Sequence, residues 1–310
     1  MRRRGLNIRK ALLKIIMPAL RKLPPKTASR FVAGIGHTEY KLVSRLRVRF
    51  DHAVTRGEQY LGCHWNDQTL GRRLAGNQIR WRTRDQLLDG LSDAQVEALF
   101  TIEGLDRLDA ARSEGRGVIL LGNHFGAHMM PAHWLLRRGY PLRLFMERPH
   151  HISQYLNREF DSDGPLGQRK LFISRKADPA EAAGSIMRAA RVLKAEMLLQ
   201  IAGDVRWTGQ HTAPARFLGH EYNFSSTWAT LAAMTGAPVV PVFCRMDEDG
   251  SYHLEFRPAF HIPADAPKTT GVATWVQNCL SEIEERVRLD PANSNEYLFW
   301  ADEVEKAAAG

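Results

Sequence analysis

At 310 residues, 44% of them hydrophobic and 25% charged, the chain is long enough for one large α/β domain and too apolar to stay disordered. Lys and Arg outnumber Asp and Glu by 43 to 34, and the resulting charge of +9 suits an anionic partner: a lipid surface, an acidic carrier protein, a phosphorylated ligand or nucleic acid. Cys63, Cys244 and Cys279 form no CxxC pair, and Walker or Gly-rich phosphate loops are absent, so neither a zinc module nor a nucleotide cofactor is implied.

The first element is "MRRRGLNIRKALLKIIMPALRKLPPK". Leu6, Leu12, Leu13, Ile16, Met17 and Leu20 fall largely on one side of a helix, and Arg9, Lys10, Lys14, Arg21 and Lys22 on the other. Charge interrupts this run too often for it to span a bilayer, which needs ~20 apolar residues. It reads as an interfacial helix over residues 1–30, apolar side in the acyl boundary and Lys/Arg at anionic headgroups, ahead of a domain over 31–310. The alternative is an ordinary amphipathic helix packed on that domain.

Helical spacing continues to about residue 112, with Ser92-Asp93 as a cap before Ala94–Phe100. "VILLG" (118–122) is a short apolar run of the buried-strand type. "AHMMPAHWLLRRGY" follows as a helix with Pro131 early and Gly139 as its stop. "PLRLFME" reads as a strand, "PAEAAGSIMRAARVLKAE" as a helix, "MLLQIAGD" as a strand and "SSTWATLAAMTG" as a helix. "APVVPVFCRM" and "SYHLEFRPAF" form an antiparallel pair across the "DEDG" turn, and "TGVATWVQNCLSEIEERVRLDP" closes the series as a helix. His211 and His220 fall in a stretch that reads as loop. The alternation predicts a single α/β domain: a central, mostly parallel sheet flanked by helices, with a helical N-terminal portion.

In such sheets ligands bind beyond the carboxyl ends of the strands. Three strands end there in polar residues: Asn123-His124, Arg148, and Asp204 with Arg206. His124 is the natural general base. Gly122 and Gly126 permit a tight turn, and the start of the next helix directs N–H groups at developing negative charge. Arg148 and Arg206 would grip phosphate or carboxylate. Each residue also has a plainer reading: a hydrogen-bonded structural histidine, solvated arginines, an aspartate capping its own turn. His124 and His128 would share a helix face as zinc ligands do, but no Glu stands between them and no third ligand is suitably spaced, so no metal is expected. Zinc fingers, RNP-type strands and basic stripes with interleaved aromatics are missing, which sets nucleic acid aside as a partner.

"GVILLGNHFGAHMM", "ERP" and "LLQIAGDVRWTGQHTAPARFLGHEYNFSSTWATLAAMTGAPVVPVFCRM" together resemble the lysophospholipid acyltransferase superfamily. The branch they are most similar to is that of the late lipid A and phosphatidylinositol mannoside acyltransferases. The resemblance runs in order from about residue 10 to residue 300. It implies a glycerolipid-acyltransferase-like fold and acyl transfer from a thioester, on acyl carrier protein or CoA, to a hydroxyl or amine of a membrane lipid or glycolipid. No cofactor is implied beyond that donor substrate, and the implied location is the cytoplasmic face of the bacterial inner membrane, peripheral or monotopic. His124 falls on the family's catalytic histidine, with Asn123, Gly126, His128, Arg148 and Arg206 at the substrate. One position departs from the pattern: after the His and four intervening residues the family carries Asp or Glu, and here that residue is Met129. Either Asp204 from the later strand supplies the carboxylate, or the chain is a non-catalytic lipid-binding or partner-binding relative, or His128 serves as a second polar group in the pocket.

Overall fold

The computed structural model describes residues 16–83, 86–88, 90–146, 179–209, 211–266 and 271–302. Three helices come first: α1 (Pro25–Leu42), α2 (Ser44–Leu61) and α3 (Leu70–Thr83). Pro25 opens α1, where its missing N–H costs no helical hydrogen bond. α1 and α3 cross so closely that a Cβ on Gly36 would stand 2.4 Å from the Ala75 carbonyl oxygen. Residues 16–20 are helical, and Met17 and Leu20 are buried with Ala28, Val32, Ile79 and Leu87. This end of the N-terminal apolar stripe therefore packs on protein. Leu6, Leu12 and Leu13 and the basic residues between them lie outside the described residues. Because α1 runs through residue 30, the expected division between a 1–30 segment and a 31–310 domain falls inside a helix.

The chain then alternates. α4 (Asp93–Glu97), β1 (Phe100–Glu103), α5 (Leu105–Arg112), β2 (Val118–Gly122), α6 (Met130–Arg137) and β3 (Leu142–Phe145) are followed by α7 (Pro179–Lys194) and β4 (Leu198–Ala202). β5 (Thr212–Phe217), β6 (His220–Ser225), α8 (Thr227–Thr235), β7 (Val239–Met246), β8 (Tyr252–Phe256) and α9 (Gly271–Leu289) complete it. The main sheet has the order β1-β8-β7-β2-β4-β3. β7, β2, β4 and β3 run parallel, β8 returns antiparallel to β7, and β1 lies parallel to β8 at the edge. This is the expected α/β architecture.

All five residues of β2 are buried because the strand is central and covered on both faces. Successive side chains point to opposite faces. Ile119 and Leu121 thus join the apolar cluster of Leu193 (α7), Trp228 (α8) and Leu280 (α9), while Val118 and Leu120 join that of Leu108 (α5), Trp134 and Leu135 (α6). Among the described residues no helix is long and apolar enough to cross a membrane.

Two stretches differ from their sequence reading. Residues 100–103, read as helical, form edge strand β1: Phe-Thr-Ile-Glu alternates half-buried with exposed positions, a period of two that suits β8's free edge better than a further helical turn. The Ser92 capping box does start a helix, but it ends at Glu97. The stretch holding His211 and His220, read as loop, contains an antiparallel hairpin of β5 and β6. Leu218 and Gly219 connect its strands, both with positive φ (46° and 80°), as a two-residue turn between right-twisted strands requires.

Candidate active site

Strand register explains the centre of the site. Gly122 of β2 pairs with Ala202 of β4, so the residues two positions beyond each, His124 and Asp204, emerge side by side. His124 Nδ1 lies 3.0 Å from Asp204 Oδ1 and 3.1 Å from Oδ2. The His124 backbone N–H also donates to Asp204 Oδ2, at 2.8 Å, and to the Tyr297 hydroxyl oxygen, at 2.9 Å. Tyr297 in turn donates its hydroxyl proton to Asp204 Oδ2. The Asp204 side chain is 0% exposed and the His124 ring 39% exposed, so the imidazole is reachable from outside while its carboxylate is sealed behind it.

Burial pushes the Asp204 carboxyl up, but the adjacent His124 charge and the hydrogen bonds from His124 and Tyr297 outweigh it and hold the group below the usual carboxylate range. The Tyr297 phenol is pushed well above its ordinary value, first by burial and then by the Asp204 charge, so it stays a proton donor. An ionised carboxylate can only accept, which places the His124 proton on Nδ1 and leaves the Nε2 lone pair to act as a base. The Cys279 thiol, near Asp204, is pushed well up by burial and by that charge and remains protonated.

The turn after His124 is held from within. Asn123, expected at the substrate, is instead buried: its amide donates to the Val242 carbonyl at 3.1 Å and its Oδ1 accepts from Phe125 N at 3.1 Å. Gly126, also expected at the substrate, packs against β7. Its φ is +57°, and a Cβ there would stand 2.1 Å from the Cys244 carbonyl oxygen. The N–H groups expected to face developing charge have internal partners as well: Gly126 N donates to Asn293 O (2.8 Å) and Ala127 N to Cys244 O (2.7 Å). Asn295 closes the turn from outside, its Nδ2 donating to the His124 and Gly126 carbonyls at 2.7 Å each.

His128 does come to the site, though not on a shared helix face, because α6 begins only at Met130. Its ring centroid is 4.9 Å from that of His124, and the Trp81 indole donates to its Nδ1 at 2.9 Å. Arg206, two residues past Asp204, rests its guanidinium 4.3 Å from the Trp300 ring centroid and 5.6 Å from that of Tyr222. Arg148 lies outside the described residues. Met129 is buried in the apolar cluster of Trp134, Leu135 and Val242. Among the described residues no group of three His, Cys, Asp or Glu side chains is arranged to hold a metal ion.

Sequence reasoning missed Tyr297, Asn295 and Trp81. Each lies far along the chain from His124, in "SNEYLFW" or on α3, and only the crowding of Asn and aromatic residues in "ANSNEYLFW" hints at a structured turn. A family model described as bacterial lipid A biosynthesis acyltransferase matches residues 85–298, from the end of α3 through Tyr297. A search of curated proteins found no match.

Proposed function

The chain belongs to the bacterial lipid A biosynthesis acyltransferase family and is an acyltransferase acting on a lipid; on that premise we propose that it draws its acyl group from a thioester, with His124 as general base and Asp204 as the acid that orients it. The donor is acyl carrier protein or acyl-CoA, both anionic and both suited to a chain of charge +9. The acceptor is a hydroxyl or amine of a membrane lipid or glycolipid.

The observation that carries this reading is the 3.0 Å contact between His124 Nδ1 and the buried Asp204, at the carboxyl ends of two adjacent parallel strands. His124 Nε2 takes the acceptor's proton as its oxygen or nitrogen bonds to the thioester carbonyl carbon. Collapse of the tetrahedral intermediate breaks the C–S bond, and the same proton passes to the departing thiolate. Asp204 stabilises the imidazolium in between. Arg206, steadied on Trp300, offers a planar fork to a phosphate of donor or acceptor.

Peripheral association with an anionic bilayer, at the cytoplasmic face of the inner membrane, belongs to the same proposal. It draws support from the elbow between α1 and α2, where Leu42 is 79% and Val48 65% exposed and Val43 is exposed beside them. Lys41, Arg45 and Arg47 lie beside them in the chain, which carries no acidic residue between Glu39 and Asp51. Exposed apolar side chains interleaved with cations in the chain suit the interface of a charged membrane.

Acyl-CoA and acyl-carrier-protein donors, supplied with vesicles of bacterial lipid extract, test the chemistry through thiol release and new acylated lipid by mass spectrometry. His124→Ala is expected to abolish product, and Asp204→Asn to lower kcat by about 10⁴, the cost of losing the orienting acid in a comparable triad. Asp204→Asn within tenfold of wild type would end the case for the pair.

A further inference from the structure

We propose that the cleft between α1, α2 and α3 binds the phosphodiester headgroup of an anionic phospholipid, phosphatidylglycerol, at a site separate from that of acyl transfer. The proposal rests on the membrane association read above and not on the chemistry.

The cleft has a volume of about 110 Å³. Small residues leave the space open: Gly36 and Ala75, at the crossing of α1 and α3, both line it. Leu46 and Phe50 line it from α2.

Two of its lining side chains are guanidinium groups from different helices, Arg49 on α2 and Arg82 on α3, each about half-exposed. The carboxylates beside them stand beyond hydrogen-bonding distance. Arg49 Nε is 3.7 Å from Asp302, which the buried Arg56 already holds, and Arg82 Nη2 is 3.6 Å from Glu296. Half-exposed pairs of this length contribute little and give way to a better acceptor. Arg49 is steadied over the Phe299 ring, 4.7 Å from its centroid. Two planar forks lining one small space suit a phosphate, which each can grip with paired N–H groups.

Gln78 adds the opposite polarity. It lines the same cleft and is only 8% exposed. Its Nε2 donates to the Asn295 carbonyl at 3.3 Å, which fixes the orientation of the amide. Its Oε1 has no hydrogen-bond partner among the described residues, and an acceptor on so buried a side chain calls for a donor. The glycerol hydroxyls of phosphatidylglycerol bring one, attached to the phosphate that the arginines grip. Glu39, in the α1 wall, disfavours a doubly charged free phosphate relative to a singly charged phosphodiester.

Position supplies the source. Tyr40 of the cleft is followed in the chain by exposed Leu42 and Val43, and exposed Val48 falls between Leu46 and Arg49 of the cleft. An elbow resting in the acyl boundary therefore holds the cleft at headgroup depth. The lining includes neither His124, Asp204 nor Tyr297. Asn295 links the two places, its carbonyl accepting from Gln78 while its amide holds the His124 carbonyl at 2.7 Å. The occupant is a bystander lipid, not the reacting one.

The test titrates dihexanoylphosphatidylglycerol, kept below its micelle concentration, into the full chain by isothermal calorimetry. A soluble lipid removes the bilayer, so the result does not depend on whether the elbow binds vesicles. Wild type is expected to bind one molecule saturably, and zwitterionic dihexanoylphosphatidylcholine about tenfold more weakly or worse. Arg49→Gln with Arg82→Gln is expected to lose about tenfold or more in affinity, since each change removes charge-assisted hydrogen bonds. Arg30→Gln with Arg116→Gln removes the same charge at exposed positions outside the cleft, and affinity is expected to stay within about twofold of wild type. Arg82→Lys, which keeps the charge but loses the fork, is expected to weaken binding as well, and it carries the test if the double variant does not fold. The absence of saturable binding, equal affinity for the two lipids, or equal losses in the two double variants overturns the proposal. So does displacement of the lipid by inorganic phosphate at equal concentration, which would make this a site for free phosphate. Wild type that binds the short-chain lipid but not phosphatidylglycerol vesicles overturns the membrane reading alone.

Discussion

Met129 stands where the family pattern carries an acid, yet it is buried in the apolar cluster of Trp134, Leu135 and Val242. Asp204 already occupies His124 Nδ1 from the other side. Met129→Asp is therefore expected to leave activity no higher and to destabilise the fold by roughly 2–4 kcal/mol, the cost of burying an unpaired charge. Thermal melts alongside thiol release check both halves. Asp204 has a pH signature of its own. Its carboxyl is held below the ordinary value of 3.8, so the stability that it contributes is fully present above that pH and is lost as pH falls through the depressed value. The melting-temperature gap between wild type and Asp204→Asn should stay level from about pH 7 to pH 5 and narrow below about pH 4. A gap that shrinks between pH 7 and pH 5 would mean that Asp204 is not held ionised. Tyr297→Phe removes one donor from a buried carboxylate and is expected to cost about 1–3 kcal/mol.

Among the elements, the turn of residues 123–127 is held by two others. β7 accepts the Ala127 N–H through Cys244, and the segment after α9 accepts Gly126 N at Asn293 and closes the turn with Asn295. Gly126→Ala drives a Cβ to within 2.1 Å of the Cys244 oxygen at a left-handed φ, so it should lower both stability, by more than about 1–2 kcal/mol, and activity. Asn295→Ala, which removes two carbonyl partners without adding bulk, should weaken activity more than its melting temperature suggests. Comparison of kcat loss with melting temperature across the two variants tests the role of the turn. What could be read in advance follows from range. β2, β4 and their polar ends are local patterns, and the parallel register that sets His124 beside Asp204 follows once both strands enter one sheet. β1 was hidden between two helical stretches because four residues carry too little periodicity to overrule their neighbours. The Asn123 side chain faces its own backbone, which a turn's side chains can do as readily as they face a ligand, and Gly126 is set by its close approach to β7. Tyr297, Asn295 and Trp81 depend on packing across most of the chain, which no local pattern encodes.

For the molecule as a whole, a charge of +9 is a solution property until it is given a place. The α1–α2 elbow gives part of it one, joining cations to protruding Leu42 and Val48 at a corner formed by two helices. Leu42→Glu replaces an apolar side chain worth about 1.5–3 kcal/mol on burial, so it should weaken partition onto phosphatidylglycerol-rich vesicles by roughly tenfold or more. Arg45→Glu with Arg47→Glu should weaken it too, but mainly at low salt. Vesicle sedimentation at two ionic strengths separates the apolar from the electrostatic part. Binding that neither change affects would locate any lipid contact elsewhere on the surface.

Tyr297 reaches back 173 residues to His124 and 93 to Asp204. Chains grow from the N-terminus and fold as they emerge. The histidine and the aspartate are therefore both out of the ribosome, and their strands able to pair, well before the residues that hold them arrive. In that interval the imidazole has an acidic neighbour without a fixed bearing, beside a turn that still lacks its outer partners. Topology thus separates two events: His124 and Asp204 can meet once β2 and β4 pair, while the alignment of that pair waits for Tyr297 and Asn295.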